Sequence, residues 1–212
     1  MSEAGGANGA AGTGPENAAW VDAEIPVAPQ ALAAFLSDPV ALYRLNPSLE
    51  IEILEVSSAD ARRFRLRALN ESNGMRYDVT VERSPLEDGA LGWRYAYDCG
   101  FKRATEFRIE PGRAGSILRV KEYYERYADP GDAPAQEFDR SLVPWIAALR
   151  RHLVRWKRFG RVPFYAWWVQ RMWLHMTPRQ RRIARLIWWI GVLEFVVFLF
   201  VFAIYWAEME RA

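Results

Sequence analysis

Few residues in this chain have the types and spacing that chemistry needs, and the best candidates converge on one hairpin. Glu122 and Tyr124 sit two apart in the alternating run SILRVKEYYERY, which follows the turn Pro111-Gly112-Arg113. With the turn centred between Gly112 and Arg113, Phe107 faces Leu118, Thr105 faces Val120, Arg103 faces Glu122 and Phe101 faces Tyr124. The apolar partners mark the inner side of the sheet. This register therefore predicts an Arg103–Glu122 pair inside the fold or at its rim. A pair so placed can anchor a polar ligand group, and Glu122 or Tyr124 is what an acid–base reaction in an apolar pocket would use. As a plain rim ion pair it would contribute less than about 1 kcal/mol. Trp93, Tyr95 and Tyr97 share one face of another alternating run and are read as pocket wall or as core.

Other chemistry is scarce. Both histidines, His152 and His175, lie in a basic stretch, and the single cysteine, Cys99, has no histidine near it in sequence. No Cys/His cluster of zinc spacing, G-x-S-x-G, P-loop or dinucleotide glycine pattern is present, so neither metal nor cofactor is expected. A lone cysteine also makes no internal disulfide.

The elements that position these residues follow from periodicity. Val21, Ala23 and Ile25 mark a first strand. Two short helices follow, broken at Asp38-Pro39. Six period-two runs occupy 49–57, 62–69, 75–83, 91–98, 101–110 and 115–126, separated by short turn signals that favour antiparallel pairing. After a loop at 129–134, a long helix is expected with Ser141 as its cap and Pro144 in its first turn. Its apolar stripe is Leu142, Trp145, Ile146, Leu149, Leu153 and Trp156. The predicted class is α+β: a seven-stranded antiparallel sheet around a long helix, followed by an interfacial helix and one transmembrane helix.

Charge divides the chain. Residues 1–149 carry 16 Lys/Arg and 23 Asp/Glu, whereas 150–185 carry 11 Lys/Arg and no acid. A block this basic meets something anionic. From Leu186 to Ala207 only Glu194 is charged. As a helix that stretch spans about 33 Å, enough for a hydrocarbon core of about 30 Å. Trp188 and Trp189 stand near one end, Tyr205 and Trp206 near the other, where aromatic rings favour the interface. Arg179, Arg181, Arg182 and Arg185 precede the span and only Arg211 follows it, which places the N-terminal side in the cytoplasm. The layout expected is a single-pass tail anchor in the cell (inner) membrane. Glu194 is read either as a neutral acid bonded locally or as a contact to another transmembrane helix or a ligand headgroup.

Ahead of the span, residues 163–176 are too short to cross. On a helical wheel Tyr165, Trp168, Val169, Met172, Trp173 and Met176 fill one arc, with Gln170, Arg171 and His175 opposite. An interfacial helix would dip Trp168 and Trp173 into the headgroups, with Arg181 and Arg182 beyond it facing phosphate; the alternative is a helix packed on the globular domain. Lipid, not nucleic acid, is the expected anionic partner. The domain division is then a Gly/Ala-rich disordered leader at 1–16, without the apolar run of a signal peptide, a globular domain at 17–160, a basic amphipathic segment at 161–184 and the anchor at 185–212.

The order of elements, with the opening EIPVAPQALAAFLSDPVALYRLNPSLE, resembles the START-like superfamily (polyketide cyclase/lipid transport, helix-grip). Ile25, Val27, Ala28, Pro29, Phe35, Leu36 and Asp38 follow its opening pattern, and the resemblance covers about residues 17–158. The basic helix and span depart from the common single-domain pattern, and no catalytic signature is there to carry over. The resemblance implies a cavity between sheet and helix for a hydrophobic ligand such as a lipid, isoprenoid or polyketide. Here its lining would be Trp93, Tyr95, Tyr97, Arg103, Phe107, Leu118, Val120, Glu122 and Tyr124, with Trp145 and Leu149 from the long helix. The function expected first is membrane-tethered binding or transfer of such a molecule. The alternatives are a cyclase- or dehydratase-type enzyme using Glu122 or Tyr124, and an accessory subunit docked on another membrane protein through the span.

Overall fold

A computed structural model describes residues 18–57, 60, 62–72, 74–98, 100, 102–124 and 133–210. The leader at 1–16, Cys99, Phe101 and most of the 129–134 loop lie outside them. The chain divides into two compact units, Met1–His175 and Met176–Ala212.

In the first unit, β1 (Ala18–Ile25) is followed by α1 (Pro29–Leu36) and α2 (Pro39–Arg44), then by β2 (Leu49–Val56), β3 (Arg63–Asn70), β4 (Arg76–Pro85), β5 (Gly92–Tyr97), β6 (Lys102–Pro111) and β7 (Ser116–Tyr124). The strands form one antiparallel sheet in the order β1-β7-β6-β5-β4-β3-β2. Strands β2 to β7 are a meander. β1 lies outside β7, with Ala18 opposite Tyr123 and Ile25 opposite Ser116, so α1 and α2 carry the chain from one sheet edge to the other. Pro29 and Pro39 each open a helix at a position where a missing N–H costs little. Asp38 caps α2 by accepting from the backbone N–H groups of Val40 and Ala41.

The long helix α3 (Ala133–Phe159) lays Leu142, Trp145, Ile146, Leu149 and Leu153 against the inner sheet face, where all five are buried with Phe64, Leu66, Val81, Phe107, Leu118 and Val120. This is the helix-grip α+β architecture. One expectation is corrected: the helix starts at Ala133, not at a Ser141 cap. The residues APAQEFDR before Ser141 are mostly helix formers with a proline in the first turn, so Pro144 falls inside the helix. Gly92 marks a tight approach between strands. A Cβ there would lie 2.0 Å from the Phe107 carbonyl oxygen and 2.8 Å from Leu86.

Beyond α3 come α4 (Pro163–Arg171) and a 3₁₀ turn at Trp173–His175. The second unit is α5 (Pro178–Met209), a continuous helix of 32 residues. It opens with a reciprocal cap: the Gln180 N–H donates to Thr177 Oγ1 at 3.2 Å, and the Thr177 N–H donates to Gln180 Oε1 at 2.9 Å. The arginines at 179, 181, 182 and 185 therefore belong to the first turns of the same helix as the apolar stretch. Pro178–Trp206 is long and apolar enough to cross a membrane, and its most apolar window is not buried.

The outer sheet face carries an ion-pair row. Asp78 on β4 accepts from Arg65 (Nε to Oδ1, 2.9 Å) and from Arg67 (Nη2 to Oδ2, 2.6 Å), both on β3. Bonds from Arg65 and then Arg67 hold the Asp78 carboxyl down at about 2, against about 4 in an unfolded chain. This interaction is present above about pH 4 and lost as pH falls toward 2. Thermal unfolding in detergent, followed by circular dichroism between pH 5 and pH 2, should show a steeper acid loss of stability for the parent than for Asp78→Asn.

Candidate functional site

The inner face of the cup is filled at one end by aromatic rings. Tyr43, Phe64, Tyr95, Phe107 and Trp145 meet mostly edge-on, with centroids 5.6 to 6.1 Å apart. Several polar tips are committed to the helices. Trp93 Nε1 donates to the Ala33 carbonyl at 2.8 Å, Tyr95 OH to that of Leu36, and Trp145 Nε1 to that of Leu42 at 3.1 Å. Arg83 donates to the Ser37 carbonyl and lies over the Trp93 ring. The C-terminal turn of a helix leaves carbonyls without intrahelical donors; here side chains of the sheet and α3 serve Leu36, Ser37 and Leu42, while the Ala33 carbonyl accepts from Trp93 as well as from the Ser37 N–H. Burial pushes the hydroxyls of Tyr43 and Tyr95 well above the usual tyrosine range, so both stay neutral donors.

Beyond this plug a cavity of roughly 60 Å³ remains. Its apolar wall includes Leu49, Leu66, Val79 and Trp145, and its polar wall Asn46, Asn70, Tyr77, Tyr97, Lys102, Glu122 and Tyr124. Glu122 is only 2% exposed. One of its oxygens accepts from Lys102 Nζ and the other from Tyr124 OH. The Lys102 ammonium also lies 5.3 Å from the Tyr97 ring centre and 5.6 Å from that of Trp145. Tyr97 OH meets Tyr43 OH at 2.7 Å and Thr105 Oγ1 at 3.1 Å. Burial pulls the Lys102 pKa down, but the charge and hydrogen bond of Glu122, together with the neighbouring Tyr97 and Tyr77, leave the ammonium above its ordinary range. The site thus offers a fixed cation, a doubly bonded carboxylate and a short hydroxyl chain beside an apolar wall. Among the described residues no group of three or more His, Cys, Asp or Glu could hold a metal ion.

The register of the last hairpin explains which sequence candidates converge. Phe107 faces Val120, Ile109 faces Leu118 and Thr105 faces Glu122, two positions from the expected pairing, because the turn occupies Gly112 to Gly115 and is centred one residue later. A shift of two preserves the inner face, so Glu122 still points inward. Between Lys102 and Ala104 the pairing slips by one residue. This bulge reverses the alternation. Arg103, expected inside opposite Glu122, is exposed, and Lys102 takes its place. Tyr97, Glu122, Tyr124 and Trp145 line the cavity. Trp93, Tyr95, Phe107, Leu118, Val120 and Leu149 instead pack in or against the core. Tyr43, Asn46, Asn70, Tyr77 and Lys102 were not anticipated. Alternation gives no signal for Lys102, which faces inward only through the bulge, and the others come from elements far apart in sequence.

Around α4 the packing also departs from the helical-wheel reading. Val169 is 2% exposed, Tyr165, Trp168 and Trp173 are half-buried, and the Trp168 and Trp173 rings lie 5.3 Å apart. Of that arc, Val169 is buried and Tyr165, Trp168 and Trp173 are partly covered within the first unit, whereas Met172 is exposed.

No protein-family model matches the sequence, and a search of curated proteins finds no significant match. A solved structure with a TM-score above 0.5 shares the fold. A START superfamily protein from Mycobacterium smegmatis is similar with a TM-score of 0.52 and 18% identity, over 65% of this chain and 97% of that one. A protein from Thermus thermophilus aligns with a TM-score of 0.49 and 20% identity, also over 65% and 97%.

Lys102→Met leaves the Glu122 carboxylate buried beside a single donor and should destabilise the protein by about 3 kcal/mol. Pairing it with Glu122→Leu should restore most of that loss, since neither charge is then left alone. Chemical denaturation in detergent measures both; equal losses in the single and double variants would remove the pair from its role.

Proposed function

We propose, taking the START-like helix-grip fold as premise, that this protein holds or transfers a hydrophobic small molecule at the cytoplasmic surface of the cell membrane, where α5 tethers it. The observation that carries this reading is the cavity: an apolar wall facing the buried Glu122 carboxylate and its half-buried partners Lys102 and Tyr124, on a chain that also has a helix long and apolar enough to span a bilayer. The polar cluster suits the head of an amphipathic guest, and Leu49, Leu66 and Val79 suit its chain. A ligand that partitions into lipid is best met at the bilayer, and tethering raises its local concentration without new contacts. The arginines at the start of α5 favour the cytoplasmic side for the globular unit.

Cavity size sets a condition. About 60 Å³ holds some four waters, whereas drug-sized ligands fill about 300–1,000 Å³. Accommodating a whole lipid chain requires the ring cluster of Tyr43 and Trp145 to move. In this reading the guest's head lodges first at Lys102.

A second reading rests on Glu194, an exposed acid on the otherwise apolar face of α5. An acid at that depth favours a polar partner on another transmembrane helix, which would make the protein an accessory subunit of a membrane complex.

Native mass spectrometry of the full chain from mild detergent separates the two. The first reading expects a small hydrophobic adduct, retained by the parent and reduced about tenfold by Leu49→Trp, a change of roughly 1.4 kcal/mol, with an unchanged circular dichroism spectrum. Empty protein in repeated preparations, together with no lipid transfer between vesicles, overturns it. Stoichiometric co-purification of another membrane protein, lost in Glu194→Leu, favours the second.

A further inference from the structure

The face that α4 turns to solvent is not the one its sequence suggests. While Val169 and its neighbours pack inward, Phe164 is 73% exposed and Trp167 52%. Phe164 exceeds every other large exposed hydrophobic residue described, including those of α5. The two rings lie 6.2 Å apart, and Val162, next but one to Phe164 in the chain, is 48% exposed; Phe159, 41% exposed, sets its ring 5.7 Å from that of Tyr165. Elsewhere on the first unit, exposed apolar residues such as Trp20, Val56 and Leu91 are spread over separate elements, which is ordinary for a protein surface. A contiguous aromatic patch is not, and marks a place where something apolar docks.

We infer that Phe164 and Trp167 form an insertion foot, with which the globular unit sits on the headgroup region of an anionic bilayer. Three observations select a bilayer over a protein partner. The frame of the patch is entirely basic: Arg158 lies over the Phe159 ring at 5.1 Å, and Arg161 and Arg171 are exposed on either side of α4. No acid occurs anywhere between Asp139 and Glu194, so the charge suits lipid phosphate, and each such cation adds to attraction toward an anionic leaflet. The composition is that of interfacial helices, with bulky rings on one side and arginine at the margins. Finally, only residues 172–177 join α4 to α5. Six residues reach at most about 20 Å, so tethering through α5 raises the local concentration of bilayer surface around α4.

Arg44 at the end of α2 donates to the Leu174 carbonyl at 3.2 Å, tying the turn after α4 to the element that supplies Tyr43 to the cavity wall.

This inference rests on the bilayer reading of α5, and the experiment separates the two. Single cysteines are placed in the full-length Cys99→Ser chain as Phe164→Cys, Trp167→Cys, Arg65→Cys on the outer sheet face and Phe198→Cys within α5. Each is labelled with an environment-sensitive fluorophore and reconstituted into phosphatidylcholine–phosphatidylglycerol vesicles carrying nitroxide lipids. The labels at 164 and 167 should be blue-shifted and quenched at least about twofold more than that at 65 by a nitroxide near the headgroup. The label at 198 should be quenched best by a nitroxide deep in the acyl chain. Quenching at 198 with water-like labels at 164 and 167 overturns the foot and leaves the tether standing. No quenching at 198 overturns the tether and the foot with it. Blue-shifted labels at 164 and 167 that lipid nitroxides do not quench would mean that protein covers the patch, which also overturns the inference.

Discussion

A carboxylate as deeply buried as that of Glu122 is tolerated only with a partner, because desolvating an isolated charge costs several kcal/mol. Here the partner is Lys102, with the Tyr124 hydroxyl on the second oxygen. Most of the polar cavity wall is arranged around this pair. Tyr97 packs under the ammonium, hands its own hydroxyl to Tyr43 and Thr105, and so links β5, α2 and β6 through one chain of polar groups. The pair exists because β6 slips by one residue at Arg103. Without the bulge, the inward side chain at that level would be an arginine, which is longer and forked and does not shift its charge as a lysine does.

The cup is stiff at its other end for a related reason. α1 and α2 are short helices whose terminal carbonyls lie against the sheet. Tyr95, Arg83 and Trp145 donate to them, and Trp93 adds a second donor to the Ala33 carbonyl. Each of these side chains would suit a ligand pocket by type. Because each is spent on a helix end, the interior beside them is closed by rings and the cavity is confined to the end where β2, β3 and β4 meet Lys102 and Glu122. The fold is thus half filled and half open, and the division falls where polar tips change from capping helices to facing the cavity.

The basic stretch has two faces of a different kind. α4 is too short to be stable alone, and it is held by burying Val169 and half-burying Tyr165 and Trp168 on its own unit. That packing rotates the helix so that the remaining aromatics, Phe164 and Trp167, point outward among arginines. A helix with apolar residues on both sides offers two candidate inner faces, and packing chooses one.

Sequence alone settled what depends on period and local chemistry. Strand positions came from alternation bounded by turn residues, and the stripe of α3 from helical spacing. The antiparallel meander from β2 to β7 followed from short links, and the apolar length of α5 from composition, whereas the place of β1 beside β7 did not. Even the inward direction of Glu122 survived a misplaced turn, since an error of two leaves parity intact. What sequence did not fix is whatever depends on a single-residue slip or on distant elements meeting. The bulge at Arg103 exchanges one cation for its neighbour, and no local pattern announces it. The commitment of Trp93 and Tyr95 to helix ends, the entry of Tyr43 and Asn70 into the cavity, and the choice of face on α4 are all decided by contacts between segments far apart in the chain. Those contacts are made only when the sheet curls around α3, because only then do carbonyls, rings and charges compete for the same small volume.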